Sequence, residues 1–414
     1  MTAPEKTRSR SKKTSLIEEP APTPAIAAEQ TDLPATPLIV GIGASAGGLE
    51  AYRAFFGRME PNADIAFVLV QHLAPDKSSI LAELIARSTS IAVQEATDGT
   101  VVEGNHIYVI PPDATLTIQH GALQLSKPAP PRQYRWPIDA FFTSLAEDQG
   151  DNAVAIVLSG SGSDGARGLQ AVKDNGGLVL AQAGFDHVAM SGMPASAAAT
   201  GFVDEVLAVE QMPGRLLTHL AYQRATRRTQ GPDGARNDLV GHLQTICALL
   251  RTELGHDFSQ YKEKTLVRRI QRRMQVVQTE TVTGYIDYLK QNPRELDNLF
   301  RELLISVTEF FRDPEAFEAL QKQAIPTLLE DKGAADILRV WRPACATGEE
   351  AYSVAISFAE AIAQRRGVGP KIQIFATDID DRAIAAARTG RFRAPLPGVA
   401  PERLERWFTA DGDD

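Results

Sequence analysis

Cysteine is scarce in this sequence: two in 414 residues, Cys247 and Cys345, far apart along the chain. Such a pair builds no disulfide framework and fits a reducing compartment. Long apolar runs are missing as well. None approaches the roughly 18 residues of a membrane-spanning helix, and no apolar stretch follows the basic N-terminal residues as it would in a secretory signal. Positive charge is not in excess: 43 Lys and Arg stand against 52 Asp and Glu, a net charge of −9. That balance argues against general nucleic-acid binding. Cys and His are nowhere spaced as metal ligands, so no metal centre is expected. The rest is ordinary for a globular chain, and the length allows about two or three domains with cores of their own. A cytoplasmic protein without membrane insertion is the expectation.

Residues 1–36 run from Ser/Lys/Arg-rich to Pro/Ala/Glu-rich and are expected to be a disordered tail. From Pro37 on, strand and helix patterns alternate. The apolar run Pro37-Leu38-Ile39-Val40 leads into Gly41-Ile42-Gly43-Ala44-Ser45-Ala46-Gly47-Gly48, and a helical pattern opens at Leu49. Three readings of this loop stand side by side. Gly43-x-Ser45-x-Gly47 has the form of a nucleophile elbow with Ser45 at its apex. Gly41-x-Gly43-x-x-Ala46 fits a dinucleotide fingerprint, although the next strand, Ile65–Val70, ends in Gln71-His72 and carries no acid for a ribose. The third reading is a tight strand-to-helix turn without chemistry.

Two more strand ends favour the nucleophile. His72 follows the Ile65–Val70 strand, and Asp164 follows the Ala153–Leu158 strand after the loop Ser159-Gly160-Ser161-Gly162-Ser163. Open α/β sheets collect their ligands beyond the carboxyl ends of their strands. Ser45 would attack, His72 would take and return the proton, and Asp164 would orient the imidazole. His106 and His120 fall in a region patterned as a hairpin series, Val102–Leu125, and read as surface or turn histidines.

These stretches, with Ser191-Gly192-Met193-Pro194-Ala195-Ser196-Ala197, resemble the catalytic domain of bacterial chemotaxis methylesterases. The resemblance implies hydrolysis of glutamate γ-methyl esters on methyl-accepting chemoreceptors with release of methanol, deamidation of receptor glutamines as a side activity, and no cofactor. The family's best-known members carry a phospho-receiver domain, for which this sequence offers no matching segment.

A polar stretch containing Gly and Pro, residues 224–237, reads as a linker. Residues 238–330 are helical in pattern, and Ile337–Trp341 and Lys371–Ala376 read as two strands around a helix starting near Glu349, the opening of a nucleotide-type βαβ fold. Val307–Asp313, Trp341–Ser353 and Ala376–Asp380 resemble the chemotaxis receptor methyltransferases, which use S-adenosylmethionine. By that resemblance Thr308, Arg312, Glu350 and Asp378 would contact the cofactor, and Ser306 stands where relatives often have Asn. The basic run Lys262–Met274, with Leu266, Ile270 and Met274 at helical spacing, reads by composition as a solvated helical face, and the family's helical domain resembles a receptor-docking surface whose cationic residues meet acidic receptor helices. Residues 381–414 offer one helix, a turn and an acidic end, so an incomplete sheet is expected and transferase activity is discounted.

The expected architecture is α/β: a doubly wound, mostly parallel sheet over 37–223, the linker 224–237, a small helical domain over 238–330 and an incomplete Rossmann-like domain over 331–414. The expected activity is a Ser-His-Asp methylesterase. A bifunctional methylesterase/methyltransferase and a non-catalytic chemosensory scaffold binding other signalling proteins are the alternatives.

Overall fold

A computed structural model of the chain describes residues 37–61, 63–71, 80–127, 136–184, 192–304, 308–365, 368–392, 396 and 398–410, with the backbone alone for 227–236. The 1–36 tail, His72 and Ser306 lie outside the described residues.

The first domain runs β1 (Leu38–Ala44), α1 (Gly48–Phe56), β2 (Ile65–Gln71), α2 (Leu81–Ala86), β3 (Ala92–Glu95), β4 (His106–Val109), β5 (Thr115–Gln119), β6 (Ala122–Ser126), α3 (Pro137–Gln149), β7 (Ala153–Val157), α4 (Gly168–Asp174), β8 (Leu178–Gln182), α5 (Gly192–Ala199) and β9 (Glu205–Leu207). Seven strands form one sheet in the order β3-β4-β2-β1-β7-β8-β9, all neighbours parallel. β1 and β7 carry no polar side chain, and β2 and β8 carry one only at their last positions, Gln71 and Gln182, because both faces are covered. Along β1, Leu38, Val40 and Ile42 enter the core against α1, while Ile39 enters the opposite core with Phe141 and Phe142 of α3. The segment patterned as a hairpin series divides. His106–Val109 joins the main sheet as β4, and only β5 and β6 form an antiparallel hairpin. His106 starts β4 with Nδ1 on Gly104 O at 3.0 Å, and His120 sits in the β5–β6 turn at φ 52°.

The chain leaves this domain through α6 (Met212–Leu254), a helix of 43 residues. The segment 224–237, read as a linker, lies inside it and is helical. The helical domain continues with α7 (Glu263–Val277), α8 (Val282–Gln291) and α9 (Pro293–Leu303) around a core of Leu243, Ile246, Ile270, Tyr285 and Leu299. Then follow α10 (Pro314–Ala319), α11 (Ile325–Leu329), β10 (Ile337–Pro343), α12 (Glu349–Ala363), β11 (Lys371–Thr377), α13 (Asp381–Thr389) and α14 (Pro401–Trp407). Among the described residues β10 and β11 make a two-stranded parallel sheet. One face, with Leu338, Val340 and Ile374, packs into a core with Phe358 of α12. The other leaves Trp341 69% and Phe375 52% exposed as cross-strand neighbours.

The basic run is only in part a solvated face: Lys262, Lys264 and Arg268 are exposed. Leu266, Ile270 and Met274 are buried in the helical core, but so are Arg269, Arg272 and Arg273. Arg272 bonds Asp204 of the first domain at 2.5 Å, Glu302 at 2.8 Å and the carbonyl of Gly177 at 3.1 Å. Arg269 bonds Asp174 at 3.0 Å, and Arg273 forks onto Glu295. Burial opposes the Asp204 charge, but Arg272, Lys173 and Arg273 outweigh it and hold its carboxyl below the usual range.

Candidate functional sites at the strand ends

In the first domain the chain runs from β1 outward to β2, β4 and β3, then returns to the other side of β1 as β7. The crevice of an open α/β sheet lies at this reversal, beyond the carboxyl ends of β1 and β7. Ser45 is the residue after β1 and is half-buried. Its amide donates to Ser159 O at 3.0 Å and its carbonyl accepts from Gly48 N at 2.9 Å, which fixes the turn that carries it. Gly47 takes φ 83°, a left-handed conformation that glycine adopts without strain, and α1 starts at the next residue. The first turn of a helix has amides without intrahelical partners, and Ser45 lies three residues before the first residue of α1.

Asp164 lies beyond β7 and is only 2% exposed. Its carboxylate accepts from three backbone amides: Ile138 at 3.0 Å, Asp139 at 3.0 Å and Gly165 at 2.8 Å. Two of these are first-turn amides of α3, so Asp164 serves as a cap for that helix and its orientation is fixed from one side. The described part of the second strand ends at Gln71, opposite Ala44 in register, and Gln71 Nε2 lies 3.4 Å from Ser45 O. The strand end thus comes beside Ser45, while His72 itself is outside the described residues.

Two residues support this arrangement without having been assigned a role from sequence. Gln182, at the end of β8 and 3% exposed, accepts at Oε1 from both N and Oγ of Ser159, each at 2.8 Å. Gly160 packs against Ser45 and Met193, and its carbonyl accepts from Met193 N at 3.0 Å. The strand-end rule that found Ser45 and Asp164 also points to Gln182. Nothing in a glycine's letter announces that the place of its missing side chain is taken by the Ser45 turn.

In the second half, Thr308 lines a cleft of about 490 Å³ with Thr347, Glu349 and Asp380. Arg312, Glu350 and Asp378 do not line it. Arg312 is exposed. Glu350 is forked by Arg342, with Nε to Oε1 at 2.6 Å. Asp378, at the end of β11, accepts from Ala346 N at 2.8 Å and Asp380 N at 2.9 Å, tying the loop after β10 to its neighbour. That loop carries left-handed backbone at Ala344 (φ 53°), Ala346 (φ 46°) and Gly348 (φ 103°), and the motif before α10 does so at Phe311 and Asp313. Strained backbone of this kind gathers at ligand sites. The volume suits a nucleoside-sized ligand. Among the described residues no cluster of three or more His, Cys, Asp or Glu could hold a metal ion, and no helix is long and apolar enough to cross a membrane.

Comparison with known proteins follows the same division. The family described as CheB methylesterase matches residues 40–216, the all-alpha domain of CheR methyltransferase matches 241–304, and the SAM binding domain of CheR methyltransferase matches 306–414. An uncharacterized 104.1 kDa protein of Rhodobacter capsulatus is 38% identical over 352 residues, 80% of this chain and 37% of that protein. The protein-glutamate methylesterase/protein-glutamine glutaminase of Pectobacterium atrosepticum is 35% identical over 46% of this chain and 55% of its own length. A second such protein, of Pseudomonas aeruginosa, is 34% identical over 51% and 60%. The chain therefore spans about a third to three-fifths of the length of these relatives. The catalytic domain of the Thermotoga maritima CheB methylesterase, a crystal structure, is 31% identical over 44% of this chain and 97% of its own, with a TM-score of 0.40. The chain belongs to the CheB methylesterase family over its first domain, fused to the all-alpha and SAM-binding domains of the CheR methyltransferases.

Proposed function

We propose that the chain hydrolyses glutamate γ-methyl esters on chemoreceptors through Ser45, His72 and Asp164. The observation that carries this reading is the placement of Ser45 directly after β1 and of a backbone-anchored Asp164 in the loop after the adjacent strand β7, where the strand order reverses. Ser45 Oγ attacks the ester carbonyl carbon as His72 takes its proton. The tetrahedral intermediate collapses, methanol leaves with that proton, and an acyl-serine remains. Water, deprotonated by His72, attacks the acyl-serine and frees the glutamate carboxylate. With a glutamine side chain the same steps release ammonia. Asp164, held by three amides, keeps the imidazole in the tautomer that accepts at its far nitrogen.

The second half would bind S-adenosylmethionine, whose sulfonium supplies an electrophilic methyl group. Thr308 and Glu349 would hold it from the cleft, and Asp378 would meet the ribose at the end of β11. Glu350 would have to leave Arg342 to meet it, and Arg312 is exposed at the surface. Methyl-accepting chemoreceptor cytoplasmic domains are the partner of both halves.

The test is methanol release from a methylated receptor cytoplasmic fragment, with wild-type chain and Ser45→Ala side by side. Release by the wild type and none by the variant is expected. Equal release by both would remove Ser45 from the mechanism.

A further inference from the structure

In the seven-stranded sheet β7 lies between β1 and β8. The β7–β8 ladder stops with Val157 opposite Ala181, while Leu158 N still reaches Gly43 O of β1 at 2.9 Å. At Ser159 the chain faces both neighbours at once. Its carbonyl turns to the end of β1, where it accepts from the Ser45 amide at 3.0 Å. Its own amide and Oγ turn to the end of β8, where both donate to Gln182 Oε1 at 2.8 Å. A side chain thus takes over where the backbone ladder ends. A backbone N–H can only donate, so the atom that meets it is the glutamine oxygen, and the orientation of the amide is fixed. Gln182 follows four apolar residues of β8 and is 3% exposed. A buried amide is costly unless it is bonded, and both donors to this oxygen come from the one residue that holds the Ser45 amide.

We propose that Gln182 is a positioning residue of the esterase: it holds Ser159, and Ser159 holds Ser45. This rests on the reading of Ser45 as the nucleophile and adds the residue that keeps it in place. Asp164 is tied to the amides that open α3. The serine is tied instead to the end of β8, two bonds away. Without the glutamine oxygen, the N–H and O–H of half-buried Ser159 lose their acceptor and must turn to find another. The amide and carbonyl of one residue are separated by only two soft torsions, so the carbonyl under Ser45 turns with them. The serine then shifts while the rest of the sheet stays where it is.

The experiment is steady-state methanol release from a methylated receptor cytoplasmic fragment by the whole chain, comparing wild type, Gln182→Met, Gln182→Glu and Ser45→Ala. Methionine fills a similar volume without an oxygen acceptor, whereas a glutamate carboxyl presents one in either protonation state. Gln182→Met is expected to lower kcat about ten-fold or more, as a displaced reacting group does, with KM little changed. Gln182→Glu should recover most of that loss. A residue that only filled space would give the reverse order, with methionine harmless and the buried carboxyl harmful. Melting curves on the same samples establish folding, and Gln182→Asn, which withdraws the amide by one methylene, replaces the methionine variant if that does not fold. Wild-type kcat in Gln182→Met, a loss confined to KM, or equal losses in the methionine and glutamate variants overturns the proposal. Ser45→Ala separates the two readings. If it abolishes release while Gln182→Met keeps the full rate, the role of Gln182 alone is refuted; release by Ser45→Ala, or none by the wild type, refutes both.

Discussion

A Cβ at Gly160 would stand 2.9 Å from both the Cβ and the amide nitrogen of Ser45 and would press on Met193 Sδ. Those atoms belong to the turn that carries Ser45, and the Ser45 amide is itself bonded to Ser159. Relief must come from moving Ser45, Met193 or both. A displacement near 1 Å can cost about a hundred-fold in rate, while overpacking costs about 1–3 kcal/mol. Gly160→Ala is accordingly expected to lower methanol release by about 10- to 100-fold while the chain still folds. Steady-state kinetics paired with a thermal melt reads both effects, and wild-type rates in the variant would mean that the loop yields without disturbing the serine.

Between domains the decisive elements are α6 and α7. The stretch 224–237 has the composition of a loop, yet α6 is anchored on both sides of it, by Leu216 and Leu220 in the esterase core and by Leu239, Ile246 and Leu250 in the helical core. Helix propagation from two packed ends overrides weak local propensity. α7 then lays Arg269, Arg272 and Arg273 against Asp174 and Asp204. Buried ion pairs of this kind contribute little net stability, but removing one partner strands the other charge. Asp204 also accepts from Val179 N at 2.9 Å. Asp204→Ala should therefore destabilise the chain by about 3–5 kcal/mol in urea denaturation. A change below about 1 kcal/mol would mean that water reaches Arg272 when its partner is gone.

The whole molecule has several cores: one on each face of the seven-stranded sheet, one in the helical domain and one around α12. Only Val276 of α7 enters a core of the first domain, so the joint there is mostly polar. His219 of α6 lies in it, 1% exposed, with Nδ1 unpartnered and Nε2 3.4 Å from Gln275. Burial first, and then the neighbouring Arg215 and Arg272 charges, push its pKa down to about 3, while Asp204 pulls the other way. The unfolded chain takes up a proton at His219 near its ordinary value of 6.5, and the folded chain does so only near 3. Stability from this group is complete above pH 6.5 and falls as pH drops toward 3, by at most about 1.4 kcal/mol per unit. Urea melts at pH 7.5 and 5 should show this loss in the wild type and less of it in His219→Gln. Identical pH slopes would place the acid sensitivity elsewhere.

Much of this could be read from the residues in order. The apolar runs of β1, β2, β7 and β8, the glycines at the Ser45 turn and the acid after β11 each carry a local signal. The helical face of Leu266, Ile270 and Met274 was legible by its spacing as well. The partners of the arginines between those positions were not. Asp174 and Asp204 lie far from α7 in sequence, and a charged side chain has the same letter whether water or a carboxylate faces it. The same holds for Glu350, whose proximity to Arg342 depends on how β10 meets α12, and for the division of the 102–125 segment between the main sheet and a hairpin. By itself the sequence determined most of the elements of the sheets, the place of Ser45 after β1 and of Asp164 in the loop after β7, and the family of each half, because these rest on local backbone preference and periodic burial. Tertiary structure alone decided which charges are buried at the joint and which walls meet across the cleft, because those depend on distances between residues that the chain brings together only by folding.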